Sequence, residues 1–361
     1  MRWRFFCLWS DEAMINAGIV GVSGYGGGQL ARLLSVHPNV KLTYVVSNTY
    51  LGQSLSAALP SFPQRTPLVC EAYDQDQAIS KCDVIFLAQE SGFAAQNAAM
   101  LADAGKKIID LSADLRLKDP VVYKKWYKTD AADQSLLDRA VYGLPELHRE
   151  EIRDAQIVAN PGCYPTSAIL ALAPVIAAKA IALDTIIINS MSGVSGAGRS
   201  KHSLAYHFPE LNESATAYGV GGTHRHTPEI EQALSLTAGQ TVIVSFTPHL
   251  IPVTRGILTT VVADLTTDLT TERLVAVIDK FYHHEPFVNV LPPGLIPATK
   301  HTLGSNYLFV GASVDPRTGR ATIVSAQDNL IKGAAGQAIQ NMNLMYGLPE
   351  EAGLTMAGIF P

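Results

Sequence analysis

Ala17-Gly-Ile-Val-Gly-Val-Ser-Gly24-Tyr-Gly26-Gly27-Gly28 is the stretch from which the fold is read. It opens as a short apolar run and ends in a glycine-rich turn. Behind the turn, Leu30, Leu33, Leu34 and His37 recur at helical spacing until Pro38 stops the pattern. Residues 40–46 then alternate and are rich in β-branched side chains, which predicts the next strand. Strand, glycine turn, helix and strand make one βαβ unit. A turn of that kind brings backbone N–H groups and a helix N-terminus against a phosphate, so Gly21, Ser23, Gly24, Tyr25, Gly26 and Gly27 are candidate dinucleotide ligands. The pattern is GxxGxGG rather than GxGxxG, and a tight turn without a ligand is the competing reading.

Working outward, the unit repeats. Residues 83–88 and 107–111 read as buried strands, residues 91–104 as an alanine-rich helix between them, and 157–160 as a further strand. Alternation of this kind predicts an α/β fold with a Rossmann-type, doubly wound parallel sheet. After residue 162 the texture changes. Strand-like runs at 185–189, 241–247, 256–263, 307–314 and 321–325 outnumber the helices at 228–238 and 271–282. The second part is therefore expected to be an α+β domain with a mostly antiparallel sheet. A last helix of small residues runs from 332 to 346.

The second strand of an NAD binder usually ends in Asp or Glu, about 20 residues beyond the glycines. Here it ends Val46-Ser47-Asn48-Thr49, with no acid to repel a 2′-phosphate. NADPH/NADP+ is favoured, with Ser47 as a ligand; Arg32 is a candidate phosphate partner or a solvated helix face. The second glycine loop, Ser192-Gly193-Val-Ser-Gly196-Ala-Gly198-Arg199, is suited to close over a cofactor from the other domain.

Composition sets outer limits. With 47% hydrophobic and 16% charged residues the chain is globular rather than disordered. A net charge of −5 argues against nucleic acid as a main partner, and no apolar run is long enough to span a membrane. The four cysteines show no CxxC spacing, which suits reduced thiols in the cytoplasm. Residues 1–13 mix basic and aromatic side chains and are expected to be an extension outside the fold, from an upstream start codon.

Chemistry is concentrated in Asn160-Pro-Gly-Cys163-Tyr-Pro-Thr166. A strand ends at Asn160, Pro161-Gly162 turns the chain, and Cys163 sits at the mouth of a helix over 165–178. The positive end of that helix should lower the thiol pKa and make Cys163 a nucleophile; a packing role is the bland alternative. Of ten histidines, His226 in Gly221-Gly-Thr-His-Arg-His226-Thr-Pro-Glu229 is best placed to manage the proton, with Thr227 as N-cap and Pro228 as first helical residue. A structural histidine, or a metal site from His224, His226 and Glu229, are the rivals; with no third clear ligand, no metal is expected. Arg116 in Leu111-Ser-Ala-Asp-Leu-Arg116 could clamp a phosphate or pair with Asp114 at the surface. Arg255 could bind a carboxylate or form a salt bridge.

Together these strings resemble the N-acetyl-γ-glutamyl-phosphate reductases of the aspartate-semialdehyde dehydrogenase superfamily. The likeness runs from Met14 almost to the C-terminus. It also takes in Val141-Tyr-Gly-Leu-Pro-Glu146 and Asp328-Asn-Leu-Ile-Lys-Gly-Ala-Ala-Gly-Gln337. It implies that Cys163 forms a thioester, that His226 is the acid/base, that Arg116 and Asn160 face the substrate phosphate, and that Asn329 lies beside the nicotinamide. It further implies a Rossmann domain of 14–162 completed by 328–361, a catalytic and oligomerisation domain of 163–327, and a homo-oligomer (dimer or tetramer). The implied reaction is the NADPH-dependent reduction of a small acyl phosphate in arginine synthesis. The alternatives are the related reductase of a carrier-linked α-aminoadipyl phosphate, and a catalytically silent NADP-binding protein.

Overall fold

A computed structural model of the chain describes residues 14–200 and 203–359. The expectation for residues 1–13 lies outside the described residues. The first sheet has six strands: β1 (Ile15–Val20), β2 (Val40–Val46), β3 (Val84–Leu87), β4 (Lys107–Asp110), β5 (Ala140–Tyr142) and β6 (Ile157–Ala159). Their order is β2-β1-β3-β4-β6-β5 and every pair is parallel. Helices cover both faces, which is why β1, β3 and β6 read as nearly continuous apolar runs. The chain leaves β1 toward β2 on one side and returns to β3 on the other. That reversal opens a crevice at the carboxyl ends of β1 and β3, where ligands of doubly wound sheets bind. The short edge strand β5 carries no run of its own in the sequence and was not expected; parallel pairing with β6 creates it.

The second sheet is mixed and mostly antiparallel. It comprises β7 (Ile187–Gly193), β8 (Thr216–Ala217), β9 (Ser245–Ile251), β10 (Ile257–Asp264), β11 (Val288–Val290), β12 (Leu308–Asp315) and β13 (Arg320–Gln327), ordered β11-β12-β13-β10-β7-β9-β8. Along β10 buried and half-buried residues alternate strictly, as they do when one face of a sheet meets the core. The helices Cys163–Ala177, Thr227–Ala238 and Thr271–Tyr282 cover that face. The run expected at 241–247 begins only at Ser245. The N–H of Val242 bonds Ser235 Oγ and that of Val244 bonds Glu231 Oε1, so helix side chains hold donors that a ladder would need.

The chain then returns to the first domain. Where one helix from 332 was expected, a single π-turn (Ile331–Ala335) precedes the helix Gly336–Met345. Such bulges mark sites where the backbone is re-aimed. A wholly buried ion pair, Lys332 Nζ to Glu146 Oε1 at 2.6 Å, ties the π-turn to the helix Pro145–Asp154, and Gln340 shares the lysine at 2.7 Å.

Candidate active site

Gly162, in extended conformation, caps the helix that begins at Cys163. The turn before it is held by charge. Arg116 donates from Nε to the Asn160 carbonyl (2.8 Å), from Nη2 to the Leu111 carbonyl (2.9 Å) and from Nη1 to Glu229 Oε2 (3.3 Å). Glu229 Oε1 in turn accepts from the Gly162 N–H and the Tyr142 hydroxyl, both at 2.8 Å. The partner of Arg116 is thus buried Glu229, not Asp114 at the surface. Burial works against the Arg116 charge, but Glu229 beside it prevails and leaves its pKa above the ordinary value. Glu229 is the residue that sequence reasoning undervalued. It stood in the quoted string only as a metal rival, yet it fixes both the arginine and the cysteine turn.

On the other side, Gln327 Nε2 donates to the Cys163 carbonyl at 2.7 Å. Gly333 of the π-turn packs so closely that a Cβ there would stand 2.9 Å from Cys163 Cβ. The Asn160 Nδ2 donates to the Ala334 carbonyl (3.1 Å) and its Oδ1 accepts from Asn341 (3.2 Å), so the buried side chain braces the turn against the C-terminal segment.

His226 lies against the cysteine turn: a Cβ on Gly162 would be 2.8 Å from its Nε2. The helix starts at Thr227, so His226 itself is the residue before the helix, and Thr227 Oγ1 makes no bond. The expected threonine cap is displaced by one residue. Burial first, then His224, Arg116 and Arg225, hold His226 well below the usual histidine range. His224 Nδ1 accepts the His226 N–H at 3.1 Å, and burial brings His224 down to about 4. Both imidazoles are neutral at pH 7. Among the described residues no group of three His, Cys, Asp or Glu side chains is disposed to hold a metal.

The thiol itself runs against the helix-dipole argument. Burial pushes Cys163 up to about 11, and the opposing pull of Arg116 is weaker because Glu229 stands beside it. A depressed pKa was expected from the helix N-terminus; desolvation exceeds a dipole effect of ~1 kcal/mol. Cys163 is therefore a thiol at neutral pH, on a turn against which the neutral His226 packs.

The cofactor side is made of backbone. Gly21 has φ +99°, and a Cβ there would strike the Ala88 carbonyl at the end of β3. A Cβ on Gly27 would strike the Gly21 carbonyl. Gly24 caps the helix Tyr25–Leu34, leaving the N–H groups of its first turn without helical acceptors, Gly26 and Gly27 among them. Ser47 Oγ donates to Ser23 Oγ at 2.9 Å. These glycines let the turn and the helix pack directly on the neighbouring backbone, which sets the free N–H groups of the first helical turn at the carboxyl end of β1, a geometry that fits the phosphates of a dinucleotide.

From the second domain, the loop 192–199 comes over this cradle. Asn329 anchors it, donating to Ser195 Oγ (3.0 Å) and accepting from the Gly256 N–H (2.8 Å). Gly196 lies against Ser192 Oγ and Asn329, and Gly193 against the Arg255 backbone. Arg199 then crosses to the first domain, donating to the carbonyls of Ser23 (3.0 Å) and Ala58 (2.9 Å) and to the Tyr50 hydroxyl (3.1 Å). With Arg32 it lines a small cavity of about 80 Å³ beside Ser23 and Gly24. Arg199 thus reaches the glycine turn from the other domain. Arg255 is paired with Asp328 at 3.2 Å, the salt-bridge reading.

Residues 16–155 match the semialdehyde dehydrogenase NAD-binding domain family and residues 163–329 the semialdehyde dehydrogenase dimerisation domain family. The chain is 51% identical to the N-acetyl-gamma-glutamyl-phosphate reductase of Desulforamulus reducens over 96% of its own length and 100% of the relative's. It is 50% identical to the protein of that name from Moorella thermoacetica, over the same shares. Solved structures of the same fold include aspartate semialdehyde dehydrogenase II of Vibrio cholerae complexed with ASA (TM-score 0.70, 16% identity, 93% of this chain and 99% of that one). The Candida albicans aspartate semialdehyde dehydrogenase with NADP is similar (TM-score 0.68, 16% identity, 92% and 99%).

Proposed function

The chain belongs to the N-acetyl-γ-glutamyl-phosphate reductase family, and from that premise we propose that it reduces N-acetyl-L-glutamyl 5-phosphate to the 5-semialdehyde and phosphate through a thioester on Cys163. The observation that carries this reading is the half-buried Cys163 on a turn that packs against His226 and is held by Arg116 and Glu229.

The thiol proton passes to His226 as sulfur attacks the acyl carbon. The carbon–oxygen bond to phosphate breaks, and the departing phosphate takes that proton while the helix N-terminus and Arg116 stabilise its charge. The glycine turn and the N–H groups of the helix Tyr25–Leu34 would hold a reduced nicotinamide dinucleotide, which would supply the hydride that a thioester accepts and a free carboxylate does not. The thiohemiacetal on Cys163 then collapses. The carbon–sulfur bond breaks, the semialdehyde leaves, and a solvent proton relayed by His226 restores the thiol. Glu229, by holding the Gly162 N–H and Arg116 together, keeps the nucleophile and the anion site in register.

NADPH is the proposed form of the cofactor. Ser47 and Arg199 support it, with no carboxylate at the end of β2. The dimerisation-domain match supports a homo-oligomer, and the class of reaction a cytoplasmic one. The assay is the reverse reaction: protein, NADP+, phosphate and N-acetylglutamate semialdehyde, with aspartate semialdehyde as control. Phosphate-dependent NADPH formation with the acetylated aldehyde is expected. Silence with both aldehydes, despite measurable NADPH binding, would overturn the reading.

A further inference from the structure

Among the described residues five arginines lie at the junction of the two domains, and four are already engaged, Arg32 with Gln29 at 2.8 Å. Arg116 is paired with Glu229, Arg255 with Asp328, and Arg199 donates to two carbonyls and a hydroxyl. Arg225 is different. It stands between His224 and His226, is exposed, and among the described residues makes no ion pair and no side-chain hydrogen bond. Yet it is not loose. Its guanidinium sits over the Tyr127 ring, 5.5 Å from the centroid, and the Tyr127 hydroxyl donates to its carbonyl at 3.4 Å. Tyr127 stacks on Tyr123 at 4.6 Å, and the Tyr123 hydroxyl donates to buried Asp114 at 3.0 Å. A cation held on an aromatic face with its N–H fork unused is a ready receptor for a carboxylate. Its field reaches into the site, since it helps depress both His224 and His226.

We propose that Arg225 binds the α-carboxylate of the acyl substrate and is the residue that selects a carboxylated chain. The proposal rests on the functional reading above. In that substrate the carboxylate carbon lies four bonds from the reacting carbonyl, roughly 5 Å when extended. With the acyl carbon at Cys163, next to His226, the carboxylate falls within reach of the residue adjacent to His226. The phosphate end is served by the helix N-terminus and Arg116, so the two anionic groups of the substrate meet separate cations.

The reverse reaction separates these groups, because aldehyde and phosphate enter as independent substrates. Arg225→Met should raise KM for N-acetylglutamate semialdehyde about 10- to 100-fold, with KM for phosphate and for NADP+ unchanged. Arg225→Lys should recover part of the loss. The wild type should prefer that aldehyde to 4-acetamidobutanal, which lacks the carboxylate, and Arg225→Met should show no preference. A rise in KM for phosphate with the aldehyde KM unchanged would overturn the proposal, as would an intact preference in Arg225→Met. Wild-type protein silent with every aldehyde is the separate result that removes the functional reading itself.

Discussion

Around Cys163, buried polar side chains close on one another and on the backbone: Arg116 on Glu229, Glu229 on Gly162 and Tyr142, Asn160 on Ala334 and Asn341. Around the dinucleotide cradle the contacts are backbone, glycine, one serine pair and one arginine that crosses between domains. The difference follows from what each region must do. A nucleophile and its base need fixed geometry, and a network with its members satisfied is rigid because any broken link leaves a buried charge unpaired. A cofactor must enter and leave, so its site relies on close backbone approach and on a loop, 192–199, joined to the cradle by bonds to a single side chain at the surface. Rigidity at the cysteine and release at the cradle are therefore separable, and substitutions can tell them apart.

Removing the nucleophile has the largest effect. Cys163→Ser should lower kcat/KM by about 10⁴-fold or more in the phosphate-dependent assay, with NADPH affinity by fluorescence titration unchanged. Lost NADPH binding in that variant would mean that the two regions are one. Next is the network. Glu229→Ala leaves the Arg116 charge buried without a partner and should cost ~3–5 kcal/mol of stability in urea unfolding. Activity should fall with it even where the variant is folded; a variant as stable as wild type would show that Glu229 is dispensable to the turn.

Smaller still is the crossing arginine. Arg199→Ala should raise KM for NADPH about tenfold, leave kcat nearly unchanged, and narrow the preference over NADH. A fall in kcat alone would instead assign it to the chemistry. The smallest effect concerns Asp110, which lies at the end of β4 beneath the Arg116 loop. Burial and then Asp114 raise its pKa from 3.8 to about 7. The folded chain keeps a proton that the unfolded chain has released, so this stabilisation is complete below pH 4 and is lost as pH rises through about 7. Asp110→Asn should match the wild type near pH 4 and exceed it at pH 8 by roughly 2–4 °C in Tm. An equal gain at both values would contradict the shift.

Much of this was legible in the linear chain because the signals are local. Glycines at 21 and 27 are demanded by backbone clashes within one turn and its neighbouring strand. The cysteine lies at a helix start because Pro161-Gly162 ends a strand there. Periodicity placed the helices at 228–238 and 271–282 within a residue of the observed Thr227–Ala238 and Thr271–Tyr282.

What escaped is what depends on contact between distant segments. Glu229 meets Arg116 and Gly162 across separations of 113 and 67 residues, and Arg199 meets Ser23 across 176. The same holds for the state of the Cys163 thiol. Its place at a helix N-terminus is a fact of local sequence and argues for a low pKa. Its burial beneath Gly333 and Gln327, from a segment more than 160 residues on, raises the pKa instead. Local order could be read from neighbours along the chain, whereas desolvation and charge pairing act through space and were decided only when the two domains closed on each other.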